Sequence, residues 1–541
     1  YGPIIGKVCR KNDAVVLRVW VEPYLFSAID AAGDPIPAGV KVERVPLVEA
    51  ENSYYPGTYW VYDLEVPTTF DRDLRIGIHY KNTKPADINF KVEAADLPHP
   101  NKRLADQELH EKETVRLPLS KLSWFQRLKK TPEHNGAAFL VGSCHYPGSP
   151  FDEDLADSIF KSMLRHVDDS HSITGDSKDI DHVLLVGDQI YADATADAFD
   201  TRELRERFAR RYREAFGAKY ARRLLASVPT YRAIDDHEFE DNWPGDAEDL
   251  SNRGNKSAKD YLERFKHGRA AALAYQWSMS SRDGWPNNSS WRPRRYDSGL
   301  WYTFKSGSLP FFVMDTRTER RLREASISWE AAQLVGKRQF KALKDWLVIS
   351  ENRDKPKFIV SGSVLAPITR NFTQRNRWLW RNIDGWAGYP ATWRKLVKYI
   401  VENKIQKVVF IAGDYHLSAL AQLTLHSNST GANSVTAYQI AASALFAPLP
   451  FANAKRCEYE WADESPKPIE VPFSDDAARI LVEPYLLSTN SSHFLRLDVQ
   501  PAQGSNWSIR VIVCDRNGVI KPEMAVNHPF TMASNVISWT V

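Results

Sequence analysis

His182-Val183-Leu184-Leu185-Val186 runs directly into Gly187-Asp188-Gln189-Ile190-Tyr191. The apolar run reads as a strand buried on both faces, stopping at a small residue with a carboxylate just beyond. Four other stretches repeat the arrangement. Ala138-Phe139-Leu140-Val141 leads to Gly142-Ser143-Cys144, and Pro310-Phe311-Phe312-Val313-Met314 leads to Asp315. Lys357-Phe358-Ile359-Val360 leads to Ser361-Gly362-Ser363, and Val408-Val409-Phe410-Ile411 leads to Ala412-Gly413-Asp414. Ligands in layered α/β folds collect at the carboxyl ends of strands. With helical stretches between the strands, residues 106–425 read as one layered α/β domain.

The flanks differ in texture. Ala14 to Glu22, Thr58 to Leu64 and Leu74 to Tyr80 are rich in β-branched and aromatic residues and are bounded by turn formers. They predict a small antiparallel β-sandwich over residues 1–105, leaving through a linker at Leu97 to Lys102. Its polar residues form no convergent cluster, so a structural role is expected. Arg202 to Ala226 reads as one helix with a solvated arginine-rich face. Residues 426–541 are irregular until Phe494 to Val499 and Trp507 to Val513, a closing pair of strands. This third region is expected to complete or cover the core.

A chain of 541 residues needs several domain-sized units. At 43% hydrophobic and 26% charged residues it is of the soluble globular class rather than disordered. Lys+Arg 71 against Asp+Glu 68 leaves a net charge of +3, which argues against nucleic acid as the main partner. No apolar run reaches the roughly 18–20 residues of a membrane span. The four cysteines, Cys9, Cys144, Cys457 and Cys514, form no CxxC pair, so neither a zinc ribbon nor a disulfide framework is expected. Tyr1-Gly2-Pro3 is no charged-then-apolar leader.

The strand-end motifs carry the chemistry. Asp188 could bridge two metal ions with Tyr191 reaching the same site, or be a turn aspartate beside a buried tyrosine. Asp235-Asp236-His237-Glu238 sets three carboxylates around one histidine, which is costly unless a cation offsets their repulsion. Gly413-Asp414-Tyr415-His416 places a carboxylate and an imidazole two residues apart, on one side of an extended segment. Cys144 is either a small buried hydrophobe or a thiolate ligand; His145, adjacent on a strand, faces the other way. Together these motifs indicate one shared metal site.

Their order and wording resemble the PhoD-like alkaline phosphatases, within the calcineurin-like metallophosphoesterases. The resemblance rests on Gly-Ser-Cys, Gly-Asp-Gln-Ile-Tyr, Asp-Asp-His-Glu, Met314-Asp315-Thr316-Arg317, Asp384-Gly385-Trp386-Ala387-Gly388-Tyr389-Pro390 and Gly-Asp-Tyr-His. Gly2-Pro3-Ile4-Ile5-Gly6-Lys7-Val8 also resembles the opening of that family's β-domain, and the likeness extends over residues 1 to about 420. It implies a layered metallophosphoesterase-type β-sandwich flanked by helices, behind the N-terminal antiparallel β-domain. It further implies a trivalent iron (Fe3+) beside calcium (Ca2+), with Cys144, Asp188, Tyr191 and His416 as iron ligands. Asp188 would bridge, and Asp414 would face the second metal with either Asp236 or Asn242. The family pattern has an Asn-Asn pair where this chain has Asp241-Asn242.

The implied activity is hydrolysis of a phosphate ester, as an alkaline phosphomonoesterase, by hydroxide that the ions generate from bound water. Asp188 and His237 would be the catalytic residues, His237 stabilising the phosphoryl group or protonating the leaving alkoxide. A phosphodiesterase of phospholipase-D-like activity would use the same metals, and a catalytically inactive surface-binding protein would use none of this chemistry. The substrate would be a small-molecule, lipid or polymer phosphate ester, and family analogy implies a secreted or periplasmic protein.

Overall fold

The computed structural model describes residues 4–21, 25–29, 39–45, 60–71, 74–79, 113–117, 119, 121–130, 135–147, 152–168, 179–193, 203–243, 245, 256–277, 299–321, 331–365, 384–427, 434–448, 469–472, 478–488, 492–520, 524–525, 531–533 and 536–541. The linker expected at Leu97 to Lys102 lies outside the described residues.

Two antiparallel sheets open the chain. One orders Ile4–Lys11, Ala14–Val21, Trp60–Pro67 and Lys41–Arg44; the other orders Leu25–Ile29, Leu74–His79 and Glu113–Leu117. The strand beyond residue 105, Glu113–Leu117, is thus paired with this N-terminal unit. Alternation sorts the faces of Ala14–Val21, where Val15, Leu17 and Val19 enter one core and Trp20 another. Trp20 is buried against the rest of the molecule, its ring 5.4 Å from that of Tyr275. It shares a cluster with Ile190 and Ala192, which flank Tyr191 in the loop after His182–Val186.

The main body is a sandwich of two mixed sheets. The first orders Thr230–Ala233, His182–Val186, Ala137–His145, Phe494–Pro501 and Trp507–Cys514, with short strands beyond. The second orders Tyr302–Ser306, Leu309–Val313, Lys357–Ser361, Val408–Ala412, Ser434–Ala441, Ser418–Ser427 and Ala478–Ser488, with short partners beyond. The five apolar runs singled out in the sequence lie in or at the ends of parallel-paired strands, and each such strand is buried throughout.

Both-face burial has a simple origin. Phe139 and Val141 point into the space between the sheets, where Phe311, Phe358, Val409 and Leu497 also lie. Ala138 and Leu140 point outward, under the helices Glu153–Asp168 and Lys219–Ser227. On the far side Lys337–Leu347 and Pro390–Glu402 cover the second sheet through Leu343, Trp346, Trp393, Leu396, Val397 and Ile400. Proline at the first position and apolar residues at helical spacing explain the second of those helices. The layers are therefore helix, sheet, sheet, helix, the metallophosphoesterase-type arrangement expected from the resemblance.

Two local differences emerge. The arginine-rich stretch is two helices, Leu204–Gly217 and Lys219–Ser227, because Ala218 is extended with ψ 149° just after the weak helix former Gly217. Its arginines are not all solvated: Arg211 is buried and pairs with Glu214 at 2.9 Å. The strands expected near the C-terminus, Phe494–Pro501 and Trp507–Cys514, pair antiparallel. They sit in the middle of the first sheet, Phe494–Pro501 lying directly against Ala137–His145.

Because Trp20 spans two packed units, Trp20→Ala should lower unfolding stability by about 3–5 kcal/mol, read from denaturant melts. It should leave catalysis intact wherever the variant is folded. A Trp20→Ala protein that melts like the parent would show that this ring does not tie the two units together.

Candidate active site

Backbone hydrogen bonds knit the strand ends together. The Cys144 N–H donates to Gly187 O at 3.1 Å, Gly413 N–H to Gly362 O at 3.2 Å, and Asp414 N–H to Ser143 Oγ at 3.2 Å, the last joining the two sheets. The chain turns sharply there. Eight non-glycine residues among those described have positive φ, and five are Cys144, Asp188, Asn242, Asp414 and His416. A left-handed backbone disfavoured by any side chain persists only where the surroundings hold it, and such positions concentrate at functional sites. The segment after Val408–Ala412 is accordingly a left-handed turn rather than the extended stretch expected.

Two glycines allow the close approach. A Cβ on Gly187 (φ +85°) would lie 2.5 Å from Asp235 Cβ, and one on Gly362 would lie 2.7 Å from Asp235 Cγ. Both strand ends therefore close onto one aspartate.

The result is an acidic cluster. Asp188, Asp235, Asp236 and Asp414 each offer a carboxylate oxygen within 4.8 Å of the others, and Asp188, Asp236 and His237 form an overlapping group. Cys144 Sγ lies 3.2 Å from Asp188 Oδ2 and 2.9 Å from Ser143 Oγ. Tyr191 Oη lies 3.3 Å from His416 Nε2, and the Tyr191 ring stands 4.1 Å from that of His237. His145 packs against Phe160 on the opposite side from Cys144, as strand alternation requires. Asn242 gives its backbone N–H to Asp236 Oδ2 at 2.6 Å, while its side chain is exposed and hydrogen-bonds Asp241.

The charges decide what the cluster can do. Like charges 4–5 Å apart repel by about 3–4 kcal/mol per pair at an effective dielectric of 20. Burial, then the neighbouring Asp236, pushes the Asp188 carboxyl well above the usual range. Burial, then Asp235, does the same to Asp414, and burial raises Asp235 to about 6. Asp236 is the exception: against burial, Arg317 and His237 hold it below the ordinary range. Burial, then Asp188, raises the Cys144 thiol, and burial, then Cys144, raises the Tyr191 phenol. The raised groups are those of buried acids crowded together, and a bound cation would reverse that shift by favouring each anionic form. Asp236 Oδ1 and Asp414 Oδ2 are buried oxygens that accept no hydrogen bond. Carboxylate, thiol, phenol and imidazole donors together suit transition-metal and hard divalent ions.

Several residues that shape the site had no assigned role in the sequence. Glu238, fully buried, accepts the N–H groups of Asp188 at 3.1 Å, Gln189 at 2.7 Å and Asp235 at 2.7 Å, and so fixes two acidic turns at once. Asp193 Oδ1 takes the Nδ1 proton of His237 at 2.8 Å and its Oδ2 takes the Asp241 N–H at 2.8 Å. Asp315 caps the turn that delivers Arg317, accepting the N–H groups of Arg317 and Thr318 at 3.1 and 2.9 Å. Asp193 lies five residues after Asp188 in the same loop, and that proximity was the available signal. Arg317 stood inside a quoted motif, but nothing in Asp-Thr-Arg tells a buried guanidinium from a surface one.

A family model described as PhoD-like phosphatase matches residues 164–467 of the chain, more than half its length. A solved structure titled "Structure of PhoD" superposes with a TM-score of 0.51 at 14% sequence identity, covering 97% of this chain and 92% of that one. No curated protein sequence matches.

His237 offers a direct check on the electrostatics. Burial lowers its pKa, but the hydrogen bond to Asp193, with Asp236 and Asp188 behind it, raises the value from 6.5 to about 11. The folded-state value is the higher one, so the associated stability is complete below about pH 6.5 and is lost as pH rises through about 11. In the metal-free protein, histidine-labelled NMR should find His237 protonated at pH 8, and Asp193→Asn should lower its midpoint by about one pH unit or more. A neutral imidazole at pH 8 would remove the Asp193 pair from the account.

Proposed function

The chain belongs to the PhoD-like phosphatase family, and on that footing we propose that it is a metal-dependent phosphoester hydrolase, an alkaline phosphomonoesterase working through Fe3+ and Ca2+. One observation carries the reading: Asp188, Asp235, Asp236 and Asp414 converge within 4.8 Å at the strand ends that also present Cys144, Tyr191 and His416.

Cys144, Asp188, Tyr191 and His416 would hold the iron. Asp188 would be shared with the calcium, which Asp414 would hold together with Asp236 or Asn242. Asp236 has the stronger support, since its side chain lies in the cluster whereas that of Asn242 turns toward Asp241. When bound, the ions would acidify a water to serve as nucleophile and offset the phosphoryl charge.

The remaining chemistry belongs to the protein. His237 is 20% exposed, reachable from solvent yet fixed by Asp193, with Nε2 turned 3.8 Å from Asp241 Oδ1. It would protonate the leaving alkoxide or bind a phosphoryl oxygen from the open side. Ser143 holds the Cys144 sulfur and the Asp414 backbone together, so the two metal-facing strand ends keep their spacing. Among the described residues no helix is long and apolar enough to cross a membrane. A small-molecule phosphate ester would be the substrate that the family match suggests.

An assay of purified protein against matched monoester and diester substrates, with elemental analysis, tests the reading. Monoester turnover with iron and calcium bound is expected. Diester turnover alone would make the protein a phosphodiesterase, and a folded, metal-free, inactive protein would favour a binding role. Asp188→Ala should lower kcat/KM by several orders of magnitude with loss of both ions. His237→Ala should keep its metals and lose about 10²–10⁴-fold in rate; metal loss in that variant would make His237 a ligand.

Iron with a phenolate ligand should colour the protein. Cys144 is fully buried and burial raises its thiol, so it should resist alkylation with or without metal, and the spectrum rather than reactivity reports on the sulfur. Cys144→Ser should weaken iron retention and shift the visible band. A colourless enzyme fully active with zinc or magnesium, and indifferent to Cys144→Ser, would overturn the iron assignment while leaving hydrolysis intact.

A further inference from the structure

Arg317 is completely buried, and four aspartates surround it. Its Nε donates to Asp235 Oδ1, its Nη1 lies 2.5 Å from Asp384 Oδ2, and its Nη2 lies 3.5 Å from both Asp236 Oδ1 and Asp414 Oδ2. Three of these four aspartates belong to the acidic cluster. The fourth anchors the guanidinium from behind. Asp384 is also held by Arg320 Nη1 at 2.6 Å, and Arg320 is fixed in turn over the Tyr389 ring, 4.8 Å from its centroid, and by Ser363 Oγ. A guanidinium held on both sides at zero exposure cannot swing out to solvent.

Such an arrangement answers a problem of order. If the acidic strand ends gather before an ion binds, their carboxylates repel one another until positive charge arrives. Breaking a buried ion pair by removing one partner is far more costly than losing a surface pair, because the remaining charge stays buried and uncompensated. We propose that Arg317 is a positioning residue that supplies the cluster's positive charge in advance, so that the metal-free protein folds with its carboxylates already gathered and takes up metal afterwards. This rests on the reading of the cluster as a metal site. Arg317 touches neither nucleophile nor leaving group in this role; it acts through Asp235, Asp236 and Asp414.

The role makes a pattern that simple packing would not. Thermal unfolding of the full chain, stripped by chelation, should fall on the order of 10 °C in Arg317→Met relative to the stripped parent. Adding back metal should erase more than half of that deficit, because the ions supply the missing charge. In the double variant Arg317→Met/Asp235→Asn, one carboxylate fewer needs compensation, and most of the metal-free loss should be recovered. Arg317→Lys, which keeps the charge but not the fork, should fall between parent and Arg317→Met.

The inference fails if stripped Arg317→Met melts within about 2 °C of the stripped parent. It also fails if the deficit is the same with and without metal, or if the double variant is no more stable than the single one, including the case where neither folds. A parent that retains no metal by elemental analysis overturns both this inference and the metal reading beneath it. A metal-binding parent with an indifferent Arg317→Met overturns this inference alone.

Discussion

Carboxylates crowded at the buried ends of several strands repel one another, and the rest of this molecule is arranged around that repulsion. Asp188, Asp235, Asp236 and Asp414 come from three separate strand ends, yet their oxygens lie within 4.8 Å. Hydrophobic burial supplies the force that brings them together: each of the contributing strands is buried on both faces between sheet and helix. Arg317 and His237 offset part of the cost, holding Asp236 below its ordinary range against burial, while burial and neighbouring acids keep Asp188, Asp235 and Asp414 above theirs. Metal ions would meet the rest in the working enzyme.

The supporting elements follow from this requirement. Glycines at 187 and 362 let the backbones close onto Asp235, and Glu238 ties the turns after two neighbouring strands to one carboxylate. Gln276 bonds the same Glu238 at 2.9 Å and Tyr212 at 3.0 Å; Tyr212 stacks on Tyr275, against which Trp20 packs. An unbroken line of contacts thus runs from the N-terminal strand Ala14–Val21 to the backbone of Asp188. The β-domain carries none of the candidate ligands, but it buttresses the loop that carries two of them.

Much of this is legible in the sequence, for reasons that can be named. Strands buried on both faces give unbroken apolar runs ending in polar residues, so Cys144, Asp188 and Asp414 stand out from the order of residues, as does the Asp235 to Glu238 run, within which only the family resemblance pointed to Asp236. The break at Ala218 is not legible, because the single Gly217 in a strongly periodic stretch leaves helix and helix-break nearly equal. Nor is the central place of Phe494–Pro501, since pairing across more than three hundred residues leaves no local trace. Asp193, Glu238 and Arg317 are hidden for a third reason. Their roles depend on partners brought close only by folding, and an isolated Asp, Glu or Arg looks like any solvent-facing charge.

Anomalous diffraction from crystals of the protein as purified tests the central claim most directly, since it locates metals by element and position. The expected result is an iron peak bounded by Cys144, Asp188, Tyr191 and His416, and a second, non-iron peak sharing Asp188 and reaching Asp414. Absence of any metal peak at the strand ends in active protein, with the four aspartates ordered around Arg317 alone, would contradict it.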